Sequence, residues 1–178
     1  MKHGMVQVYT GEGKGKTTAA LGLAMRAVGQ GLRVCFIQFM KPADFETGEK
    51  ESAKSLAGLT MVQFGDSTVW GKGKPKREIT EGMRQAVRDA FEAAGTAVGQ
   101  GHYDIIVLDE INIALNRGLV SLSEMMDLLA AKPANVELVL TGRDVPKEIL
   151  EKADLVTEMV KVKHPYDRGE KPRKGIEF

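Results

Sequence analysis

The sequence predicts an α/β fold built on a mostly parallel, open sheet of about six strands. Three observations carry that prediction. Apolar runs of strand length alternate with stretches of helical period along the chain. One of these runs, Ile105-Ile106-Val107-Leu108, is continuously apolar, as expected of a strand buried on both faces of a parallel sheet. The first run passes through a glycine-rich loop directly into the first helical stretch, the strand-loop-helix order that prepares an anion site at a helix N-terminus. The 178 residues are read as one domain, 1–178, long enough to bury a single sizeable core.

In chain order, strands are predicted at Met5–Tyr9, Arg33–Phe39, Thr60–Phe64, Ile105–Leu108, Val136–Leu140 and Leu155–Val160. A helix over Thr17–Gln30 carries Leu21, Ala24, Met25 and Val28 at helical spacing and ends near Gly31. A longer one over Ile79–Val98 places Ile79, Met83, Val87, Ala90, Phe91, Ala94 and Val98 on one stripe, with Arg84, Arg88 and Glu92 on other faces. Ser121 and Glu124 have the spacing of a capping box ahead of Met125, Met126, Leu128 and Leu129. Pro146 marks a further helix start after Asp144. Residues 40–48 and 65–76 read as irregular. The polar segment His164–Phe178 is either a loose tail or a C-terminal strap, since it ends in the apolar Ile176 and Phe178.

Composition narrows the functional classes. Hydrophobic residues at 43% and charged residues at 28% belong to a globular chain and argue against wholesale disorder. A net charge of +1 gives no general attraction to nucleic acid or membrane. Cys35 is the only cysteine, so neither an internal disulfide nor a cysteine-built zinc cluster is available. No apolar run approaches the roughly 18 residues of a membrane span, and Met1-Lys2-His3-Gly4 leads into a strand without a signal-peptide core. A cytoplasmic location is expected. His3 and His102 read as solvated histidines.

The sharpest local signal is Thr10-Gly11-Glu12-Gly13-Lys14-Gly15-Lys16-Thr17-Thr18. Gly15, Lys16 and Thr17 match the end of the phosphate-loop pattern G-x-x-x-x-G-K-[ST], while Thr10 stands at its first glycine. Gly11 and Gly13 lie inside the loop, where they let backbone N–H groups turn inward as an anion nest. Lys16 supplies a charge for phosphate oxygens, and the Thr17 hydroxyl is placed for Mg2+. A dinucleotide loop is disfavoured: the glycines are spaced G-x-G-x-G, and the next strand ends Phe36-Ile37-Gln38-Phe39 without an acid for a ribose. Nucleoside triphosphate is therefore the expected ligand.

The run Ile105–Leu108 ends in Asp109-Glu110, where phosphate-loop proteins hold Mg2+ directly or through water. Two readings of Glu110 stand: in a hydrolysing ATPase it orients water, and in a transferase it binds metal or substrate. Two predicted strands separate the phosphate loop from Asp109, which suits a RecA-like P-loop NTPase sheet better than a small nucleotide kinase. No arginine-rich lid of a nucleotide kinase is present either.

Beyond the loop, several runs together resemble the phosphate-loop ATP:corrinoid adenosyltransferases of cobalamin biosynthesis and salvage. They are Gly11 to Ala20, Arg26-Ala27-Val28-Gly29-Gln30-Gly31, Gln38-Phe39-Met40-Lys41 and Asp109-Glu110. They continue with Leu140-Thr141-Gly142-Arg143, Ala153 to Met159, Lys163-His164-Pro165-Tyr166-Asp167 and Lys174-Gly175-Ile176-Glu177-Phe178. The likeness spans nearly the whole chain in order. The loop alone means only a nucleotide-binding protein; the Thr-Gly-Arg, Asp-Leu-Val-Thr-Glu-Met and His-Pro-Tyr-Asp runs make it family-specific.

What the resemblance implies is a transferase in which Co(I) of a reduced corrinoid attacks the 5′ carbon of ATP and the triphosphate leaves intact. ATP lies reversed in that family relative to ordinary phosphate-loop enzymes, with the γ-phosphate deep in the loop. Gly11, Glu12, Gly13, Lys14, Gly15, Lys16, Thr17 and Thr18 then hold the triphosphate. Mg2+ sits between Thr17, Asp109 and Glu110, and Lys16 and Glu110 are the residues assigned to catalysis. Arg143, after a strand end, is assigned to the nucleotide. Arg26 is too, with a plain surface arginine as the other reading. Glu12 is unexpected, because many relatives have a small polar residue there and a carboxylate repels phosphate. The resemblance also puts Trp70 against the corrin, where aromatics displace the lower axial ligand, with Thr68 in the place of the companion aromatic. A tryptophan packed on a domain edge is the alternative for Trp70. The basic cluster Lys72, Lys74, Lys76 and Arg77 and the residues Lys163, Arg168, Lys171, Arg173 and Lys174 do not interleave with aromatics as a single-strand binder requires, so no nucleic-acid partner is expected. A homodimer and an electron-donating flavoprotein or reductase are the partners the resemblance implies. A RecA-like ATPase or a nucleotide-binding module is the alternative function.

Overall fold

The structure, a computed structural model, describes residues 2–68 and 79–178. Trp70, Lys72, Lys74, Lys76 and Arg77 lie outside the described residues. Six strands form one sheet: β1 (Val6–Thr10), β2 (Val34–Phe39), β3 (Leu59–Phe64), β4 (Ile105–Asp109), β5 (Glu137–Thr141) and β6 (Leu155–Glu158). Their order is β3-β2-β4-β5-β1-β6, and each described pairing is parallel. One strand, β5, separates β1 from β4, as in a RecA-like sheet. The crevice at the carboxyl ends of such strands is where open α/β sheets bind ligands.

Side chains of the buried strands alternate between two layers of core. Cys35, Ile37 and Phe39 of β2 and Ile106 and Leu108 of β4 face one side. There they meet α3 (Glu81–Gln100), α4 (Ile111–Asn116), α5 (Leu122–Ala131) and α6 (Lys147–Lys152) through Met83, Val87, Ile111, Met125 and Ile149. Val34, Phe36, Ile105 and Val107 face the other side, against Ala20, Ala24 and Ala27 of α1 (Lys16–Gly29). The alanines keep α1 close to the sheet, which fixes how far its N-terminus stands from the strand ends. Truncating the fully buried Phe36 to alanine would cost about 3–5 kcal/mol.

The predicted elements recur with small shifts. Thr80 caps α3, its side chain accepting from the Met83 N–H, so that helix starts and ends two residues later than its apolar stripe. The capping box of Ser121 and Glu124 opens α5. Pro146 is the N-cap of α6, immediately outside the helix. Two short α-helices lie outside the predicted set, α2 (Gly48–Ala53), which follows the Thr47 cap, and α4, as does a 3-10 helix at Pro165–Arg168. The strand predicted to reach Val160 ends at Glu158, and β6 is exposed at all four of its positions because it forms a sheet edge.

Candidate active site

The loop between β1 and α1 is shaped by glycine for two separate reasons. Gly11 and Gly15 have φ values of 95° and 122°, in the left-handed region. A Cβ on Gly11 or Gly13 would also stand 2.5 or 2.6 Å from the Met159 carbonyl oxygen, which the Gly13 N–H already reaches at 2.6 Å. The loop therefore leans on the residue just after β6. Gly15, the N-cap of α1, offers no side-chain acceptor, so the first-turn N–H groups stay available to an anion. The buried Lys16 folds back over the loop, its Nζ donating to the carbonyls of Gly11 at 2.6 Å and Gly13 at 2.8 Å. Burial pulls its ammonium below the ordinary value, opposed by the charge of Glu110.

Facing the loop, the fully buried Asp109 ends β4. Its Oδ1 accepts from the Thr17 hydroxyl at 2.9 Å and the Thr141 hydroxyl at 2.7 Å, and its Oδ2 accepts from Gln38 Nε2 at 3.0 Å. Gln38 in turn accepts from Gln63 Nε2 at 2.8 Å. These contacts follow from sheet register, which sets Gln38 opposite both Asp109 and Gln63 on the three neighbouring strands. Glu110 leaves the strand with a φ of 64°, and its N–H donates to Thr141 Oγ1 at 2.9 Å. Its Oε2 is buried without a hydrogen-bond partner among the described residues. Burial, and then the charge of Asp109, push its carboxyl up to about 7.

Thr17 Oγ1, Asp109 and Glu110 offer hard oxygen donors, and the orphaned acid of Glu110 is a group that a divalent cation would satisfy. Among the described residues no set of three or more His, Cys, Asp or Glu forms a closed metal cage. Mg2+ does not require one, because it keeps waters and leans on substrate phosphates. The donors fit that cation.

A cavity of about 720 Å³ opens over the loop. Its far walls carry Lys41, Glu49 and Ser52, then His164 and residues 175–178. The Lys41 ammonium lies 2.8 Å from Glu49 Oε1. Burial raises the Glu49 carboxyl, but the hydrogen bond and charge of Lys41 outweigh it and leave Glu49 below its ordinary value. The C-terminal segment crosses to the loop: Lys14 Nζ donates to the Ile176 carbonyl at 2.9 Å and lies 3.1 Å from Glu177 Oε1. The Phe178 ring lies against Phe45, with centroids 6.1 Å apart. The Arg143 guanidinium pairs with Glu12 at 3.0 Å, which gives the unexpected carboxylate a partner.

Among the predicted residues, Glu12, Gly13, Lys14, Gly15, Lys16, Thr17, Thr18, Glu110 and Arg143 line this cavity. Gly11 contributes its carbonyl to Lys16, and Asp109 stands behind Thr17. Arg26 is not brought to the site. It is exposed on the last turn of α1, ten residues and about 15 Å along the helix axis from Lys16. Thr68 hydrogen-bonds to Asp66 Oδ1 at 2.6 Å through its hydroxyl and does not line the cavity. Sequence reasoning missed Gln38, Gln63 and Glu49. The signal available for Gln38 was a lone amide in a strand otherwise apolar from Val34 to Phe39.

The sheet order and the loop, with Thr17 bonded to the acid of β4, define a RecA-like phosphate-loop nucleotide-binding protein. The flagellar accessory protein FlaH from Methanocaldococcus jannaschii shares the fold, with a TM-score of 0.57 at 14% identity over 89% of this chain and 72% of that one. A family model, ATP:corrinoid adenosyltransferase BtuR/CobO/CobP, matches residues 2–178. Named corrinoid adenosyltransferases are similar over the same length. The one from Pseudomonas aeruginosa is 34% identical, covering 99% of this chain and 85% of that protein. One from Sinorhizobium is 35% identical, covering 98% and 80%, and that of Escherichia coli K12 is 32% identical, covering 99% and 87%. The chain belongs to the ATP:corrinoid adenosyltransferase family.

Proposed function

We propose that this protein transfers the 5′-deoxyadenosyl group of ATP to the Co(I) centre of a corrinoid and releases triphosphate, in adenosylcobalamin biosynthesis or salvage. The observation that carries this reading is one cavity, in a chain of this family, where Lys16 and the open first turn of α1 meet Glu110, whose Oε2 has no hydrogen-bond partner among the described residues. In the reaction the bond between C5′ and its triphosphate oxygen breaks and a cobalt–carbon bond forms, so negative charge grows on the leaving oxygen. Stabilising that charge is the main catalytic task. The backbone N–H groups of the loop and α1 and the Lys16 ammonium take it up, once Lys16 swings from the Gly11 and Gly13 carbonyls to phosphate oxygens. Thr17, Asp109 and Glu110 would hold Mg2+, which supplies Lewis-acid neutralisation of the polyphosphate. The Gln38–Asp109–Thr141 contacts keep the acid in place behind Thr17. A cobalt nucleophile carries no proton to remove, so no general base is needed.

The resemblance gives Trp70 the task of favouring loss of the corrin's lower ligand. The protein works in the cytoplasm as a homodimer, and a flavoprotein or other reductase delivers the electron that yields Co(I). The direct test is to mix protein, Mg2+, ATP and chemically reduced cobalamin or cobyrinic acid diamide and follow the spectrum. A light-sensitive cobalt–carbon product supports the reading. ATP loss without cobalt alkylation would favour a RecA-like ATPase.

A further inference from the structure

The cations that line the cavity are answered from within the chain. Lys14 meets Glu177, Lys41 meets Glu49, and Arg143 meets Glu12. Glu177 and Glu49 are tied elsewhere as well, to Arg173 and to Gln38. The third pair is built differently, because both partners belong to the phosphate-binding rim: Glu12 sits inside the loop and Arg143 just past β5. The backbone under Arg143 is fixed. The Arg143 carbonyl accepts from Asn116 Nδ2 at 3.0 Å, Gly142 packs on Asn112, and Gly142 and Asp144 have φ values of 131° and 51°. Its side chain, in contrast, is about half exposed, as is that of Glu12 (51% and 57%). An exposed pair of this kind is weak and exchangeable, while a guanidinium binds phosphate through two parallel hydrogen bonds. Arg143 lines the same cavity as Glu12, Lys16 and Glu110.

We propose that Glu12 is a positioning residue that occupies Arg143 while no phosphate is present and reclaims it as triphosphate leaves. It thereby sets how tightly the chain retains its polyanionic product. The proposal rests on the adenosyl-transfer reading for the identity of that product, but the exchange itself is a property of binding. An anion held in the loop competes with the ligand for one cation, so a tight triphosphate grip in the transition state need not become a tight grip on the product.

The test is calorimetric titration of the full chain with magnesium tripolyphosphate, without corrinoid, in wild type, E12Q, R143Q and the double variant. Glu12→Gln should tighten tripolyphosphate about fivefold at low salt, or about 1 kcal/mol at roughly 1.4 kcal/mol per tenfold. The gain should shrink as salt screens the pair and disappear in the R143Q background. Unchanged or weaker binding in E12Q overturns the proposal, as does absence of tripolyphosphate binding to wild type and E12Q alike. A gain that persists undiminished beside R143Q also overturns it, since Glu12 would then act by direct repulsion. These titrations remain readable if cobalt alkylation fails, so failure of the exchange and failure of the assigned reaction are told apart.

Discussion

Replacing Glu110 with glutamine separates what this carboxyl costs the fold from what it gives the reaction. In the metal-free protein the group sits at about 7 against an ordinary 4.5, raised first by burial and then by the Asp109 charge. A raised carboxyl means that the folded state keeps a proton the unfolded chain has released. Its contribution to stability is full below pH 4.5 and is lost as pH rises from 4.5 to about 7. At roughly 1.36 kcal/mol per tenfold change in acidity, that loss comes to about 3 kcal/mol. Above pH 7 the native protein therefore carries a buried carboxylate, with Oε2 unpartnered among the described residues, beside that of Asp109. Glutamine keeps the shape and removes the charge. Urea unfolding in the presence of EDTA should show E110Q no more than slightly more stable than wild type at pH 4.5. By pH 8 the gap should widen to about 3 kcal/mol. Adding MgATP should narrow the gap at pH 8, because the proposed metal site draws more binding energy from a carboxylate donor than from an amide. A stability gap that stays constant between pH 4.5 and 8 would refute the assignment of a strained acid.

Lys16→Ala should lower kcat/KM for ATP by about 100-fold or more, the scale of losing one charge-stabilising donor; turnover within twofold of wild type would remove the loop from the chemistry. Gln38→Leu strands Asp109 Oδ2 and the amide of Gln63 in a buried region, and each lost partner costs about 1–3 kcal/mol. Its unfolding midpoint in urea should fall accordingly, and an unchanged midpoint would show that the amide relay carries no load. Trp70→Ala should slow adenosylation that starts from Co(II) with a weak reductant far more than adenosylation of preformed Co(I). Equal losses in stopped-flow traces of the two reactions would count against a role in removing the axial ligand.

The parts of the fold that sequence could read are those written in local pattern. The continuous apolar run before Asp109 named a fully buried strand, and Gly15-Lys16-Thr17 after a strand located the loop and the start of α1. The spacing of the loop from Asp109 also pointed to a RecA-like order, which the position of β5 between β1 and β4 bears out. What escaped was set by single backbone angles or by distant partners. Ile111-Asn112-Ile113-Ala114-Leu115-Asn116 follows an apolar strand and gives no sign of a new helix; the left-handed turn at Glu110 makes it one. The α2 helix is six residues long, too short to show a period. Whether residues 164–178 form a tail or a strap could not be decided locally, because the contact of Glu177 with Lys14 spans 163 residues. Arg26 lies in a run that matches the family, and the run itself does not show that it stands at the end of α1 away from the loop.

The proposed transfer requires that the polyphosphate depart whole while carbon moves to cobalt. Phosphorus NMR of a single turnover with Mg2+, ATP and reduced corrinoid tests it most directly. The predicted result is free tripolyphosphate in one-to-one amount with the alkylated corrinoid. ADP and inorganic phosphate appearing in its place would contradict it.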